Sequence, residues 1–166
     1  MHFDDLAKQV GDALLRRQWR VSTAESCTGG GVAYALTSVS GSSAWFHCGW
    51  IIYSLDAKID QLGVDPAILS QYGSVSEQTV KSLLQGALRQ NYGECVIAVS
   101  GIAGPDGGTP TKPVGTVWIG WATSHAMRVR LFQFNADREG VRQAAVQNAL
   151  RGLLDFLAEH HAVDQG

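Results

Sequence analysis

Two side chains in this sequence are suited to chemistry by type and setting. Ser26 lies in Thr23-Ala24-Glu25-Ser26-Cys27-Thr28-Gly29-Gly30-Gly31, and Lys58 closes Tyr53-Ser54-Leu55-Asp56-Ala57-Lys58. A serine hydroxyl is a weak nucleophile until a neighbouring base takes its proton. No histidine is placed near it by a motif, so Lys58 is the candidate base. Its ammonium must be neutral part of the time, which requires its pKa to fall from about 10.4 toward neutrality. Desolvation beneath a substrate supplies such a shift. Tyr53 adds a phenol that orients the amine or relays a proton. Taken alone, the same residues also read as a packed strand-end aromatic and a solvated helix lysine.

Cys27 is the rival nucleophile, since a thiol is intrinsically better than a hydroxyl. Alternation along an extended segment turns it away from Ser26, which makes it a buried structural residue. The glycines that follow, at a helix start, offer backbone N–H groups to a phosphate or an oxyanion. They serve equally well for close packing of a helix on a strand. Gly101-Ile102-Ala103-Gly104-Pro105-Asp106-Gly107-Gly108 is a second glycine loop, costly in backbone entropy and of the kind that carries function. Neither loop is a Walker A or G-x-G-x-x-G pattern, so nucleoside triphosphate chemistry is not indicated. Arg138 and Arg142 sit four apart on the opening turns of the last predicted helix, against its dipole. That placement suits an anionic ligand or a carboxylate partner.

The elements that position these groups alternate between helical and strand periodicity, which points to an α/β layer architecture. The expectation is one three-layer α/β/α domain over residues 1–166 with a mixed central sheet of about five strands. Leu6, Val10, Ala13 and Leu14 mark a helix near 3–17, Trp19 to Thr23 a strand that ends at Glu25-Ser26, and Val32 to Thr37 a second helix. Trp45 to Ser54 reads as a strand with Tyr53 at its end, and Lys58 as part of the first turn of a short helix. Asp65-Pro66 and Ser76-x-x-Thr79 start two more helices. Cys95 to Val99 is a buried strand, Val114 to Thr123 and Met127 to Phe134 a hairpin. Asp137 caps a last helix with an apolar stripe of Val141, Ala145, Ala149, Leu150, Leu153 and Leu157. If the first two strands run parallel, Ser26 and Lys58 reach the same sheet edge, where open α/β sheets bind ligands.

Composition narrows the function classes. With 166 residues and 45% apolar content the chain can bury one sizeable core. Only 17% of residues are charged, which leaves surface for a partner copy to cover; a homo-oligomer, dimer or higher, is expected. A net charge of −2 provides no electrostatic footprint for nucleic acid. Three unpaired cysteines (Cys27, Cys48, Cys95) read as reduced thiols in a cytoplasmic protein. The scattered histidines (His2, His47, His125, His160, His161) form no zinc motif. No apolar run is long enough for a membrane span, and Met1-His2-Phe3-Asp4-Asp5 lacks the basic start of a signal peptide.

Six ordered motifs then carry a resemblance. They are Thr23 to Gly30, Gly41-Ser42-Ser43-Ala44-Trp45-Phe46, Tyr53-Ser54-x-x-x-Lys58, Val75-Ser76-Glu77, Ser100 to Gly108, and Lys112-Pro113-Val114-Gly115-Thr116-Val117-Trp118. Over roughly residues 5 to 158 the chain resembles the C-terminal domain of the competence/damage-inducible CinA proteins. Stand-alone members resemble nicotinamide-nucleotide amidohydrolases, which convert nicotinamide mononucleotide to nicotinate mononucleotide and ammonia in pyridine nucleotide salvage. The resemblance implies Ser26, Lys58 and Tyr53 as catalytic residues. With the glycine loops read above, the expected substrate contacts are Thr28, Gly29, Gly30, Gly101, Gly104 and Arg142, with no metal and no cofactor. The alternatives are a non-catalytic module tied to competence and DNA damage, and a Ser-Lys amidase acting on another small amide.

Overall fold

The computed structural model describes residues 3–160; Met1-His2 and residues 161–166, hence both ends of the expected domain and His161, lie outside the described residues. One five-stranded sheet runs in the order β2-β1-β3-β4-β5. β1 (Val21–Glu25) is parallel to β2 (Phe46–Ile51) on one side and to β3 (Cys95–Gly101) on the other. β4 (Thr116–Thr123) and β5 (Met127–Gln133) extend the sheet antiparallel from β3. The sheet is therefore mixed, as its alternating pattern predicts.

Connection lengths dictate this arrangement, because parallel neighbours need a crossover whereas antiparallel ones need only a turn. Between β1 and β2 runs α2 (Gly31–Thr37), with a single 3₁₀ turn at Ser42–Ala44. Between β2 and β3 run α3 (Leu55–Leu62), α4 (Pro66–Tyr72) and α5 (Glu77–Gln90). α1 (Asp4–Arg17) and α6 (Arg138–Glu159) close the two ends of the chain against each other. Side-chain oxygens start the later helices: Ser54 accepts from Ala57 N, Asp65 from Ala67 N, Ser76 from Thr79 N and Asp137 from Gly140 N.

Strand alternation sorts the side chains between two cores. Val21, Cys95, Ile97, Val99, Val117, Ile119 and Trp121 face α1, α2 and α6, together with the buried stripe of α6. Ala24, Val96, Ala98 and Ala122 face α3, α4 and α5. This sorting places consecutive residues at the end of β1 on opposite sides of the sheet. It also yields the three layers expected from the sequence.

Element ends shift slightly from the sequence-based bounds. β1 begins two residues late because Gln18 adopts φ 58° and Trp19 N still bonds Leu14 O as the closing of α1. β2 stops at Ile51, so Tyr53 lies beyond the strand rather than at its end. β4 begins at Thr116 because Gly115, at φ 91°, donates back to Ile102 O.

The helices facing α3 fix where Lys58 sits, and Gly86 is the tightest point of that contact. A Cβ on Gly86 of α5 would lie 2.0 Å from the Leu62 carbonyl at the end of α3. Gly86→Ala is accordingly expected to destabilise the fold by about 2 to 3 kcal/mol through overpacking, read as a lower urea midpoint. Its sign is diagnostic, since the same change in an open helix stabilises by about 1 kcal/mol.

Candidate active site

Ser26 is the first residue after β1, and its neighbours set its direction. Its N–H donates to Val99 O of β3 (3.0 Å), while Ile52 N donates to Glu25 O (2.9 Å), so the ends of β1, β2 and β3 are level. The chain steps from β1 outward to β2 and then back across β1 to β3, which opens a crevice between the carboxyl ends of β1 and β3. A cavity of about 180 Å³ occupies that crevice, lined by Ser26, Lys58, Tyr53, Ser74, Ser100 and Arg138 among others.

Lys58 enters it from α3. Ser54 caps that helix, and Lys58 stands one turn on, 1% exposed. Its Nζ donates to Ile52 O (2.9 Å) and Tyr53 O (3.0 Å), and lies 3.3 Å from Ser26 Oγ. Burial lowers the Lys58 pKa from the ordinary 10.5, with the nearby Cys27 acting weakly the other way. Among the described residues it has no carboxylate partner to restore the charge. Nζ donates to the two carbonyls and to Ser26 Oγ. A neutral amine has two hydrogens and one lone pair. On losing a proton the amine can keep both carbonyl bonds and turn its lone pair to the Ser26 hydroxyl, the arrangement a general base requires.

Cys27 also borders the cavity, but its side chain is buried in the core under α6. Burial pushes its thiol up to about 12, so it stays protonated at neutral pH. The two candidate nucleophiles therefore border one cavity but differ in environment, the thiol being the one held protonated by burial.

The remaining predicted residues divide. Tyr53 lines the cavity, but its phenol makes no hydrogen bond to Lys58; the Tyr53 carbonyl does the orienting, and the hydroxyl accepts from Arg138 Nη2 at 3.3 Å. Gly101 forms part of the cavity wall, where a Cβ would meet Val117 at 2.7 Å and Cys27 Sγ at 3.1 Å. Gly104 lines neither this cavity nor the adjoining cleft, and its carbonyl accepts from Arg138 Nη1 (2.7 Å). Thr28, Gly29 and Gly30 also line neither. Gly29 and Gly30 have φ 59° and 95°, conformations that glycine alone adopts without strain. Arg142 reaches this turn from α6 and donates to Cys27 O (3.2 Å) and Thr28 O (3.4 Å).

The α2 N-terminus, where the sequence suggests an anion cradle, is already filled. Glu25, 1% exposed, accepts from Val32 N (2.8 Å) and Ala33 N (3.0 Å). Gly29 N and Gly31 N are engaged by Ser26 O and Thr28 O. Among the described residues, the amides of Thr28 and Gly30 in this turn have no main-chain acceptor, while the Cys27 N–H faces its own sulfur. Sequence reading missed Glu25 because a carboxylate in a strand gives no sign of where it caps. It also passed over Ser74 and Ser100, whose only signal is their place beside glycine turns; Ser100 Oγ donates to Ser74 O at 2.7 Å.

A larger cleft of about 790 Å³ adjoins the cavity and shares Ala103 and Arg138 with it; Asp137, Glu139 and Arg142 are also on its walls. Neither arginine has a carboxylate partner among the described residues, and both bond backbone carbonyls instead. Asp137 caps Gly140 N and Glu139 accepts from Gln143. A further cleft of about 580 Å³ lies at the opposite edge of the sheet with Arg20, His47 and His125, but no amine faces it.

The lowered Lys58 pKa sets the expected pH response. Turnover that needs the neutral amine rises with pH through a titration below 10.5. Stability moves the same way: between the folded and unfolded pKa the unfolded chain binds the extra proton, so the unfolding free energy increases with pH there. Lys58→Met should abolish both dependences, measured by pH–rate profiles and urea melts. A wild-type activity limb retained in the variant would make Lys58 a structural residue.

Comparison with known proteins identifies the family. The chain is 47% identical to the nicotinamide-nucleotide amidohydrolase PncC of Pseudomonas putida over 93% of its own length and 96% of the relative. It is also 47% identical to the protein of that name from Escherichia coli K12, covering 89% and 90%. A solved competence-damaged protein (CinA) superfamily structure from Klebsiella pneumoniae superposes with a TM-score of 0.91 at 36% identity, covering 96% of this chain and 99% of that one. The family model for the CinA C-terminal domain matches residues 3–157, a span that contains every element of the sheet and both cavities, and the chain belongs to that family.

Proposed function

We propose that the protein hydrolyses the carboxamide of nicotinamide mononucleotide to nicotinate mononucleotide and ammonia, with Ser26 as nucleophile and Lys58 as general base, in pyridine nucleotide salvage. The observation that carries this reading is the buried Lys58 amine, fixed by two carbonyls and facing the Ser26 hydroxyl. The relatives' names supply the substrate class.

In the first step Lys58 Nζ takes the Ser26 proton as Oγ bonds to the carboxamide carbon. The Cys27 N–H, on a residue that lines the cavity beside Ser26, is the candidate donor to the negative oxygen of the tetrahedral intermediate; one such donor is typically worth about 3 to 4 kcal/mol. Lys58 returns the proton to the nitrogen, the C–N bond breaks, and ammonia leaves an acyl-Ser26. Water then attacks this ester, Lys58 accepts its proton and delivers it to Ser26 Oγ, and the carboxylate is released. The pyridinium charge of the substrate makes the amide carbon more electrophilic throughout.

Size supports a division of the substrate between the two cavities. The 180 Å³ space is small against the roughly 300 Å³ at which whole-ligand pockets begin, so it receives the carboxamide end. The ribose phosphate extends into the cleft beyond Arg138, where Arg138 and Arg142 give the positive charge its monoanionic or dianionic group requires.

Ammonia release from nicotinamide mononucleotide by the purified chain tests the reading, with a panel of other small amides run beside it. Ser26→Ala is expected to lower turnover by roughly 10⁴ or more, while Cys27→Ala keeps most of it. Turnover retained in the serine variant, or lost in the cysteine variant with the fold intact, would sink the assignment.

A further inference from the structure

Glu25 is a fully buried carboxylate one residue before the nucleophile, and the reaction steps above do not use it. Its two oxygens collect four donors: Oε1 takes Thr28 Oγ1 (2.7 Å) and Val32 N (2.8 Å), and Oε2 takes Ala33 N (3.0 Å) and Thr23 Oγ1 (3.2 Å). Those donors come from β1, from the turn after Ser26 and from the first turn of α2. The carboxylate is thus the point at which strand, turn and helix are tied together.

We infer that Glu25 is a positioning residue for the hydrolysis, holding the Ser26 turn in its reactive shape. The reason lies in how few other anchors the turn has. Gly29 and Gly30 give it no side-chain packing and would allow many backbone conformations in isolation. On the α6 side it is held by Arg142 through the carbonyls of Cys27 and Thr28. On the α2 side it is held by Glu25. Two opposed clamps, one accepting and one donating, therefore bracket the amides of Cys27 and Thr28 and set them relative to Ser26 Oγ. The negative charge lies at the positive end of α2, where it is favourable, and it denies that end to the substrate's phosphate. Positive charge for the phosphate must then come from α6.

This inference rests on Ser26 being the nucleophile, and the test separates the two. Glu25→Gln keeps the shape but turns one oxygen into an NH₂ group, which faces either Val32 N and Thr28 Oγ1 or Ala33 N and Thr23 Oγ1 and can accept from neither pair. Ammonia release is measured per folded chain, with the folded fraction taken from urea melts at the assay temperature. The expected result is a kcat about 30-fold lower, of the order that a sub-ångström misplacement of reacting groups costs. KM should stay within about two-fold and the pH–rate limb in its wild-type position, because substrate contacts and Lys58 are untouched. A residue that only stabilises the fold would lower the folded fraction and leave kcat per folded chain unchanged; that outcome overturns the inference. Should Glu25→Gln yield no folded protein, Thr23→Val is read the same way, with about a three-fold loss expected from one missing hydrogen bond and wild-type turnover overturning it. No ammonia release from the wild-type chain would instead defeat the Ser26 reading itself.

Discussion

A lysine amine held out of water and between two backbone carbonyls is the constraint around which this molecule is organised. Burying Lys58 in a cationic form is unfavourable, and the surroundings offer it only dipoles, from Ile52 O and Tyr53 O, and a hydroxyl. That environment lowers the pKa of the amine and fixes its direction toward Ser26. The desolvation is supplied by the core beneath α3 to α5, so the stability of that core and the basicity of the amine are linked quantities. The tight seat of Gly86 on the end of α3 belongs to the same core, since it brings α5 directly against the helix that carries the lysine.

The sheet contributes a second constraint. Because β1 is central among three parallel strands, its carboxyl end is flanked on both sides by the ends of β2 and β3. Strict alternation then sends Ser26 to the α3 side and Glu25 and Cys27 to the α2 and α6 side. One short segment thereby supplies a reactive group to one layer and its own structural support to the other. The thiol that would compete for the chemistry is placed in the core, where burial keeps it protonated.

Much of this was legible from residue type and period. The β1 and β3 apolar runs, the capped starts at Ser76 and Asp137, and the approach of Ser26 and Lys58 from parallel strands all follow from local rules. What local rules could not convey were contacts made by backbone atoms. Tyr53 acts on Lys58 through its carbonyl, and a carbonyl carries no signature in a sequence. The glycines after Ser26 look like an anion cradle because helix starts usually are one. Only the fold shows Glu25 already there, brought back by a turn too short to predict. Arg138 and Arg142 looked like residues in want of an anion, yet each also binds carbonyls of distant loops, a use of guanidinium that depends wholly on tertiary placement.

The hold on Lys58 by main-chain oxygens has an evolutionary corollary. A carbonyl is present whatever side chain the residue bears, so the exposed position 53 can vary without removing its bond to Lys58, whereas Ile52 is fixed by its place in the core. The phenol of Tyr53, 59% exposed at the cavity mouth, makes no hydrogen bond to Lys58 and accepts instead from Arg138. An entrance built from side chains can thus be reshaped without moving the main-chain oxygens that hold the amine at the bottom of the cavity.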